Sequence, residues 1–251
     1  MRYRATLAYD GTAYQGYQRQ LDGVPTIQAS VERAVSKVSQ QAVHVLAAGR
    51  TDTGVHAVGQ VIAFDVDWAH GNETLLRAIN ANLPDDIALQ DVRQQEGFHP
   101  RFDALARRYC YTVMCSAQRQ PLLHRQVWHI KYDLDDVALG AVSALLIGQH
   151  DFATFGNPPQ GDNTVREVFV SEWKIEPTPY GKLYRFTIEA TAFLHHMVRR
   201  IVGMQIDVAG GRFDLEEFVQ RFGSADLSLA TTLAPPQGLV LEKVRYPDDD
   251  N

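Results

Sequence analysis

The sequence predicts an α+β fold built from two ferredoxin-like halves, each with the element order β-α-β-β-α-β. Two observations predict it. Some segments alternate apolar and polar residues, others repeat apolar residues at helical spacing, and the two kinds follow the same order twice along 251 residues. That order is typical of an antiparallel sheet with helices on one side. We expect the two halves to form one continuous mixed, mainly antiparallel sheet.

The first half, residues 1–100, begins with a strand over residues 2–9, in which Tyr3, Ala5, Leu7 and Tyr9 share one face. Thr26 is placed to cap the helix that follows, since apolar residues recur at helical spacing after it. The remaining predicted elements are strands at 43–48 and 60–66, a helix capped by Asn72 and ended by Pro84, and a strand at 87–92.

The second half, residues 101–251, follows Gly97 and Pro100, which interrupt the pattern. Its first strand covers residues 108–115, and its long helix over 194–206 can stop at Gly210 and Gly211. Asp214 is placed to cap a short helix after it. The other predicted elements are an added strand at 126–131, a helix at 134–145, strands at 165–175 and 183–190, and a closing strand at 239–246.

Composition predicts a soluble globular chain, because 45% hydrophobic and 22% charged residues are ordinary proportions. No apolar run approaches the ~18 residues of a membrane span, and the N-terminus has no signal-peptide pattern, so we expect a cytoplasmic protein. Cys110 and Cys115 are the only cysteines. Their odd separation places them on opposite faces of one strand as half-buried thiols, which favours neither a disulfide nor a metal site.

The formal net charge of −6 argues against a generally basic nucleic-acid binder, but the charges are segregated. Six cations against Asp103 alone give residues 98–131 a local charge of +5. A second basic cluster contains Arg199, Arg200 and Arg212. Aromatic residues lie among the cations of the first segment, and RNA sites combine positive charge with stacking surfaces. The segment therefore predicts an RNA-binding face.

Residues suited to catalysis lie close together in one stretch, Gly-Arg-Thr-Asp-Thr-Gly-Val-His-Ala at residues 49–57. It connects two predicted strands, and its glycines allow close approach of the backbone to a ligand. A polar loop on a rigid scaffold is a common place for catalytic groups. The alternative interpretation is a long hairpin loop with a solvated Asp52 and Arg50.

The triplet Asp52-Thr53-Gly54 is also used by aspartic proteases, which need two carboxylates that share one proton. Only one such triplet occurs here, so a protease would have to be a symmetric dimer, and Arg50 replaces the apolar residues expected before it. A further alternative is a non-catalytic RNA-binding module. Arg50 and Asp52 in one loop argue against that alternative.

The 49–57 stretch resembles the catalytic loop of the tRNA pseudouridine synthase A family, and the resemblance extends over nearly the whole chain. Further matching stretches are Tyr9-Asp10-Gly11-Thr12, Ala106-Arg107-Arg108-Tyr109-Cys110-Tyr111, Gly148-Gln149-His150-Asp151-Phe152, Phe193-Leu194-His195-His196-Met197-Val198-Arg199 and Ala234-Pro235-Pro236. The departures are small; Cys110 stands where a more polar residue is expected.

The resemblance implies an enzyme that isomerises uridine to pseudouridine at positions 38 to 40 of the tRNA anticodon stem-loop, as a homodimer and without a cofactor. It implies that Asp52 is catalytic, that Tyr109 contacts the target base and that Arg199 pairs with the catalytic carboxylate. Arg50 is placed to hold the phosphate of the flipped nucleotide or to fill the space it leaves. No metal is expected at His195 and His196, because adjacent helical positions chelate one ion poorly. Whether Asp52 attacks C1′, adds to C6 or removes the C2′ proton stays open.

Overall fold

The computed structural model describes residues 1–158 and 161–250, and the chain divides into two compact units. Unit 1 comprises Met1–Leu105 together with Val240–Asn251, and unit 2 comprises Ala106–Leu239. Both units combine helices with a β-sheet, so the predicted α+β class is confirmed. Among the described residues, no helix has both the length and the apolarity that a membrane crossing requires.

Unit 1 contains a sheet in which β1 lies between two antiparallel neighbours, β3 and β4. The short strand β2 pairs antiparallel with β3. The elements are β1 (Arg2–Tyr9), α1 (Ile27–Ser39), β2 (Leu46–Ala47), β3 (His56–Asp65), α2 (Asn72–Asn80) and β4 (Ile87–Gln94), in the predicted order.

The last strand, β10 (Leu239–Arg245), corrects the predicted division of the chain. We expected it in the second half, whereas residues from Val240 onward belong to unit 1, where Val240 pairs in parallel with His56. Gly59 permits this packing, since a Cβ there would lie 2.0 Å from the carbonyl oxygen of Glu242. An apolar pattern identifies a strand but not its partner, and this partner is far away in sequence.

Unit 2 contains a sheet in the order β5-β9-β8-β7, with β6 parallel to β5. The paired strands in that order are antiparallel. The elements are β5 (Ala106–Cys115), β6 (Trp128–Ile130), α3 (Asp136–Ala144), β7 (Gly148–Asp151), β8 (Val165–Thr178), β9 (Gly181–Ala190), α4 (Met197–Ala209) and α5 (Leu215–Gly223).

Several local predictions are confirmed and others are wrong. The side chains of Thr26 and Asp214 cap α1 and α5 by accepting the N–H groups of Ala29 and Glu217. Gly71, rather than Asn72, is the N-cap of α2. The strand predicted at 43–48 is reduced to β2, and β7 was not predicted because its sequence, Gly-Gln-His-Asp, has no apolar alternation.

Both cysteines are buried rather than half-buried, and neither forms a disulfide among the described residues. They lie on β5, where Cys110 pairs with Thr187 and Cys115 with Lys182 of β9. Burial raises the pKa of the Cys115 thiol to about 12, which keeps it protonated near neutral pH. These cysteines therefore act as small core residues.

Candidate active site

The loop that carries Asp52 connects β2 with β3, and β2 pairs with the later part of β3. Ala47 of β2 lies opposite Ile62 of β3. Within the loop, the N–H of Val55 donates to the carbonyl of Asp52 at 3.1 Å, and Gly54 has a φ of 79°, which glycine adopts without strain. The Asp52 side chain is half-buried. It is thus presented on an ordered turn.

The strand β1 and the segment after it support this loop at Thr51, the residue before Asp52. The hydroxyl of Tyr9 lies 2.8 Å from Oγ1 of Thr51, and the N–H of Tyr17 donates to the Thr51 carbonyl at 3.0 Å. Both tyrosines are buried. Burial raises the pKa of Tyr9 to about 12, so its hydroxyl stays neutral. Thr51 is therefore held through both its side chain and its backbone.

His56 ties the other end of the loop to the same N-terminal segment. The Nδ1 atom of this buried histidine lies 3.1 Å from the backbone nitrogen of Gly11, which donates to it, and 3.1 Å from a carboxylate oxygen of Asp10. Asp10 also accepts the N–H of Thr12 at 2.9 Å and so caps a short 3-10 turn. The N-terminal turn and the Asp52 loop therefore form one hydrogen-bonded structure.

Gly11 is required at this junction because the two backbones are in contact. A Cβ on Gly11 would lie 2.1 Å from the carbonyl oxygen of Val55, so Gly11→Ala must displace the Asp52 loop. We expect the free energy of unfolding to fall by about 1 to 3 kcal/mol, as in other overpacked sites. We also expect faster hydrogen exchange at the Val55 amide, because its bond to Asp52 is disturbed.

Gly49→Ala is the matched control for that prediction, because Gly49 lies in the same loop and a Cβ there would meet no atom within 4 Å. Its unfolding free energy should change by less than about 0.5 kcal/mol. Equal stability losses in the two variants, measured by urea denaturation, would show that the loop responds to any added methyl group and not to the Gly11 contact.

Arg50 lies in the same loop as Asp52, as predicted, with its side chain exposed. Within the described part of the chain its guanidinium makes no hydrogen bond or ion pair. A cation without a protein partner is available to an anionic ligand such as a phosphate.

Tyr109 lies on β5 of unit 2, paired with Ile188 of β9. Its ring is half-buried and packs edge-on against Phe193, with centroids 5.2 Å apart and an interplanar angle of 90°. A T-shaped contact fixes the orientation of one aromatic ring relative to the other. Tyr111, on the same face of the strand, is fully buried and donates to the Pro235 carbonyl at 2.7 Å, so it is a core residue.

Arg199 lies in the first turn of α4 in unit 2 and is only 9% exposed. Its Nε donates to the carbonyl of Ala234 at 2.8 Å, and the N–H of Ala234 donates to the carbonyl of Arg199 at 3.2 Å. Gly203, one turn later, leaves room for this segment, since a Cβ there would lie 1.9 Å from the Thr232 carbonyl oxygen. The arginine is thus fixed by the stretch that contains Ala234-Pro235-Pro236.

The predicted basic clusters are partly neutralised in the structure. Arg108 forms an ion pair with the buried Glu189 at 2.7 Å, and Arg212 lies 3.4 Å from Asp207. The basic residues of the first segment that stay exposed are Arg101, Arg119, Arg125 and Lys131. The cationic surface is therefore smaller than the sequence count suggests.

The sequence interpretation gave no role to the residues that support the loop, namely Tyr9, Gly11, Tyr17 and His56. A signal existed for three of them, because Tyr9 and Gly11 belong to the N-terminal stretch with family resemblance and His56 belongs to the loop motif itself. Their contacts with the loop join residues about 30 to 45 positions apart, which a local pattern does not show.

Comparison with known proteins identifies relatives over nearly the full length. The model of a family described as tRNA pseudouridine synthase matches residues 5–103 and 142–247. Proteins named tRNA pseudouridine synthase A are 39% identical in Neisseria gonorrhoeae, with 98% of this chain and 92% of the relative covered, and 40% identical in Chloroflexus aurantiacus, with 96% and 87% covered. The Shewanella frigidimarina protein of that name is 37% identical, with 99% and 94% covered.

Among solved structures, the chain is similar to one in an H/ACA RNP bound to a substrate RNA containing 2′-deoxyuridine. The TM-score is 0.39 at 11% identity, and the match covers 83% of this chain and 43% of the other. A Cbf5-Nop10-Gar1 complex gives a TM-score of 0.32 at 12% identity, with 82% and 54% covered.

Proposed function

The chain belongs to the tRNA pseudouridine synthase family and isomerises uridine to pseudouridine in tRNA, and we propose that it acts at positions 38 to 40 of the anticodon stem-loop with Asp52 as the catalytic residue. The specific positions are supported by the family resemblance of the sequence motifs. The observation that carries the assignment of Asp52 is the ordered, half-buried loop between β2 and β3.

The reaction is an isomerisation in which no atom is gained or lost overall. The bond from N1 to C1′ breaks, a bond from C5 to C1′ forms, the proton of C5 is lost and N1 gains a proton. A carboxylate is suited to such a step, as nucleophile or as base. Because the C5 proton leaves, tritium released from C5-labelled uridine in tRNA measures turnover of the pure protein. A tRNA bound without tritium release would instead indicate an RNA-binding module.

The target uridine must leave its stack before it can react, which costs a few kcal/mol. Tyr109 is the proposed stacking platform, because its half-buried ring is held edge-on by Phe193. Arg50 is proposed to contact the phosphate of the flipped nucleotide or to occupy the space that it leaves, since its exposed guanidinium has no partner within the described residues.

A pair of substitutions tests the role of Tyr109. Tyr109→Phe keeps the ring and should retain most of the activity. Tyr109→Ala should lose about 1 to 3 kcal/mol of base stacking, which lowers kcat/KM by about five- to 150-fold. Both are measured by tritium release below saturation. Equal defects in the two variants would implicate the hydroxyl in proton transfer and contradict the platform role.

Arg199 is proposed to pair with the Asp52 carboxylate, as the resemblance implies, and to hold it in position. Its burial and its anchoring to Ala234 support a fixed position for the guanidinium. We also propose that the enzyme works as a homodimer in the cytoplasm, where its tRNA substrate would be found. Light scattering on the purified chain tests the dimer directly.

A further inference from the structure

A second candidate binding site lies in unit 2, beside the end of β5. A cavity of about 200 Å³ opens there between β5 and the segment that leads into β6. Its lining includes Met114, Val127 and Trp128 on the apolar side and Arg119, Gln120 and Gln237 on the polar side. Sites for drug-sized ligands are typically about 300 to 1,000 Å³, so this cavity fits a single ring system better than a whole nucleotide.

The aromatic wall of the cavity is held in place by the core. Trp128 begins β6 and pairs in parallel with Val113, and its ring meets Tyr111 edge-on at 6.4 Å and 87°. Tyr111 is itself fully buried and bonded to Pro235. Trp128 nevertheless remains half-exposed, which leaves indole surface for a ligand.

The polar wall offers hydrogen-bonding groups without protein partners. Within residues 1–158 and 161–250, the side chains of Arg119 and Gln237 make no hydrogen bond or ion pair. Gln237 is in the turn Pro236–Gly238. This turn lies against the ring of Tyr111, which is possible because Gly238 has no side chain. A Cβ on Gly238 would lie 2.7 Å from that ring. Among the described residues, the lining contains no carboxylate, and Arg119 gives it a positive charge. His124 and His129 complete the lining.

We propose that this cavity binds one unpaired nucleobase of the tRNA substrate, an inference that rests on the proposed function. Indole is a stacking surface for any base, a glutamine amide can pair with a base edge, and a guanidinium suits the adjoining phosphate. Met114 follows Tyr109 by five residues on β5, about 17 Å along a strand. The cavity therefore holds a different nucleotide from the target uridine at Tyr109.

Trp128 itself provides the first test. In a Trp68→Phe, Trp173→Phe background it is the only tryptophan, and its fluorescence can be titrated with hexauridylate and with an abasic ribose-phosphate oligomer of the same length. We expect quenching by hexauridylate and at least tenfold weaker quenching by the abasic oligomer. Equal quenching by the two oligomers would indicate a phosphate contact only. No quenching by either oligomer would exclude a nucleobase in the cavity. Either result would overturn the proposal.

Binding of tRNA provides the second test. Trp128→Leu should raise the Kd for tRNA by about five- to 150-fold through loss of the stacked base, and Gln237→Ala by about two- to tenfold through loss of one hydrogen bond. Gln237→Ala removes no buried ring. If Trp128→Leu lowers the melting temperature, the Kd of Gln237→Ala therefore becomes the test of whether the cavity contributes to tRNA binding. Arg77→Gln is the control, since Arg77 is an exposed arginine on α2 without a partner among the described residues; its Kd should change less than twofold.

The two proposals fail in distinguishable ways. If the parent protein releases tritium from tRNA while Trp128→Leu and Gln237→Ala bind tRNA as the parent does, the cavity is not a subsite and the proposed function stands. If the parent releases no tritium, the proposed function fails. The fluorescence titration with hexauridylate still decides, in that case, whether the cavity binds a base.

Discussion

Asp52→Asn should reduce single-turnover tritium release from tRNA by at least about 10³-fold while the variant still binds tRNA. Loss of a nucleophile or base costs from 10² to 10⁶ in rate in well-studied enzymes. The substitution is close to isosteric and leaves the backbone contacts of the loop in place, such as the bond from Val55 to the Asp52 carbonyl. Affinity depends mainly on phosphate contacts, so the Kd should change little.

Asp85→Asn is the matched control, because Asp85 is an exposed carboxylate of unit 1 whose side chain has no hydrogen bond or ion pair within the described part of the chain. The Asp85→Asn variant should release tritium from tRNA at the parental rate. Residual activity of Asp52→Asn within tenfold of the parent, with matching far-UV circular dichroism, would refute the catalytic assignment. It would show that another residue carries out the reaction.

Much of unit 1 was predictable from sequence because its signals are local. The alternation in β1, the cap at Thr26 and the glycines around Asp52 each act within a few residues. They gave the element order and the loop with its carboxylate. The contacts that hold the loop, such as His56 with Asp10 and Gly11, depend on three-dimensional packing and were not predictable from spacing.

The errors in the second half of the chain have the same origin. β7 carries polar residues and exists because β8 offers it backbone partners, from Gly148 opposite Val168 to Asp151 opposite Val165. The closing strand was recognised, but its parallel partner β3 was not, so the predicted division of the chain placed it in the wrong half. Charge counting overestimated the basic face, since it cannot show that Arg108 is paired with Glu189.

Arg199→Met should lower the single-turnover rate at saturating tRNA by at least tenfold, while the Kd for tRNA changes little. The proposal places the Arg199 guanidinium beside the Asp52 carboxylate, where it would hold the reacting group in position through charge-assisted hydrogen bonds. Its removal should therefore affect the reaction of bound tRNA rather than tRNA affinity. Methionine keeps much of the apolar packing of the buried arginine stem.

A purely structural role of Arg199 makes a different prediction. The substitution also removes the hydrogen bond from Nε to the Ala234 carbonyl, which should cost about 1 to 3 kcal/mol of stability and lower the melting temperature. Stability loss alone would reduce the amount of folded enzyme without changing the single-turnover rate constant of the folded fraction. Arg199→Lys separates the two effects, because it keeps a positive charge and should restore part of that rate constant.

Arg200→Met is the control for charge removal on the same helix. Arg200 is half-buried and donates to the carbonyls of Phe155 and His195, at 3.4 and 3.3 Å. If it contacts RNA phosphate, its removal weakens tRNA binding and reduces the salt dependence by about one phosphate contact, with no change in the rate at saturating tRNA. The same pattern in Arg199→Met, with an unchanged rate at saturating tRNA, would refute the ion pair and make Arg199 a phosphate contact instead.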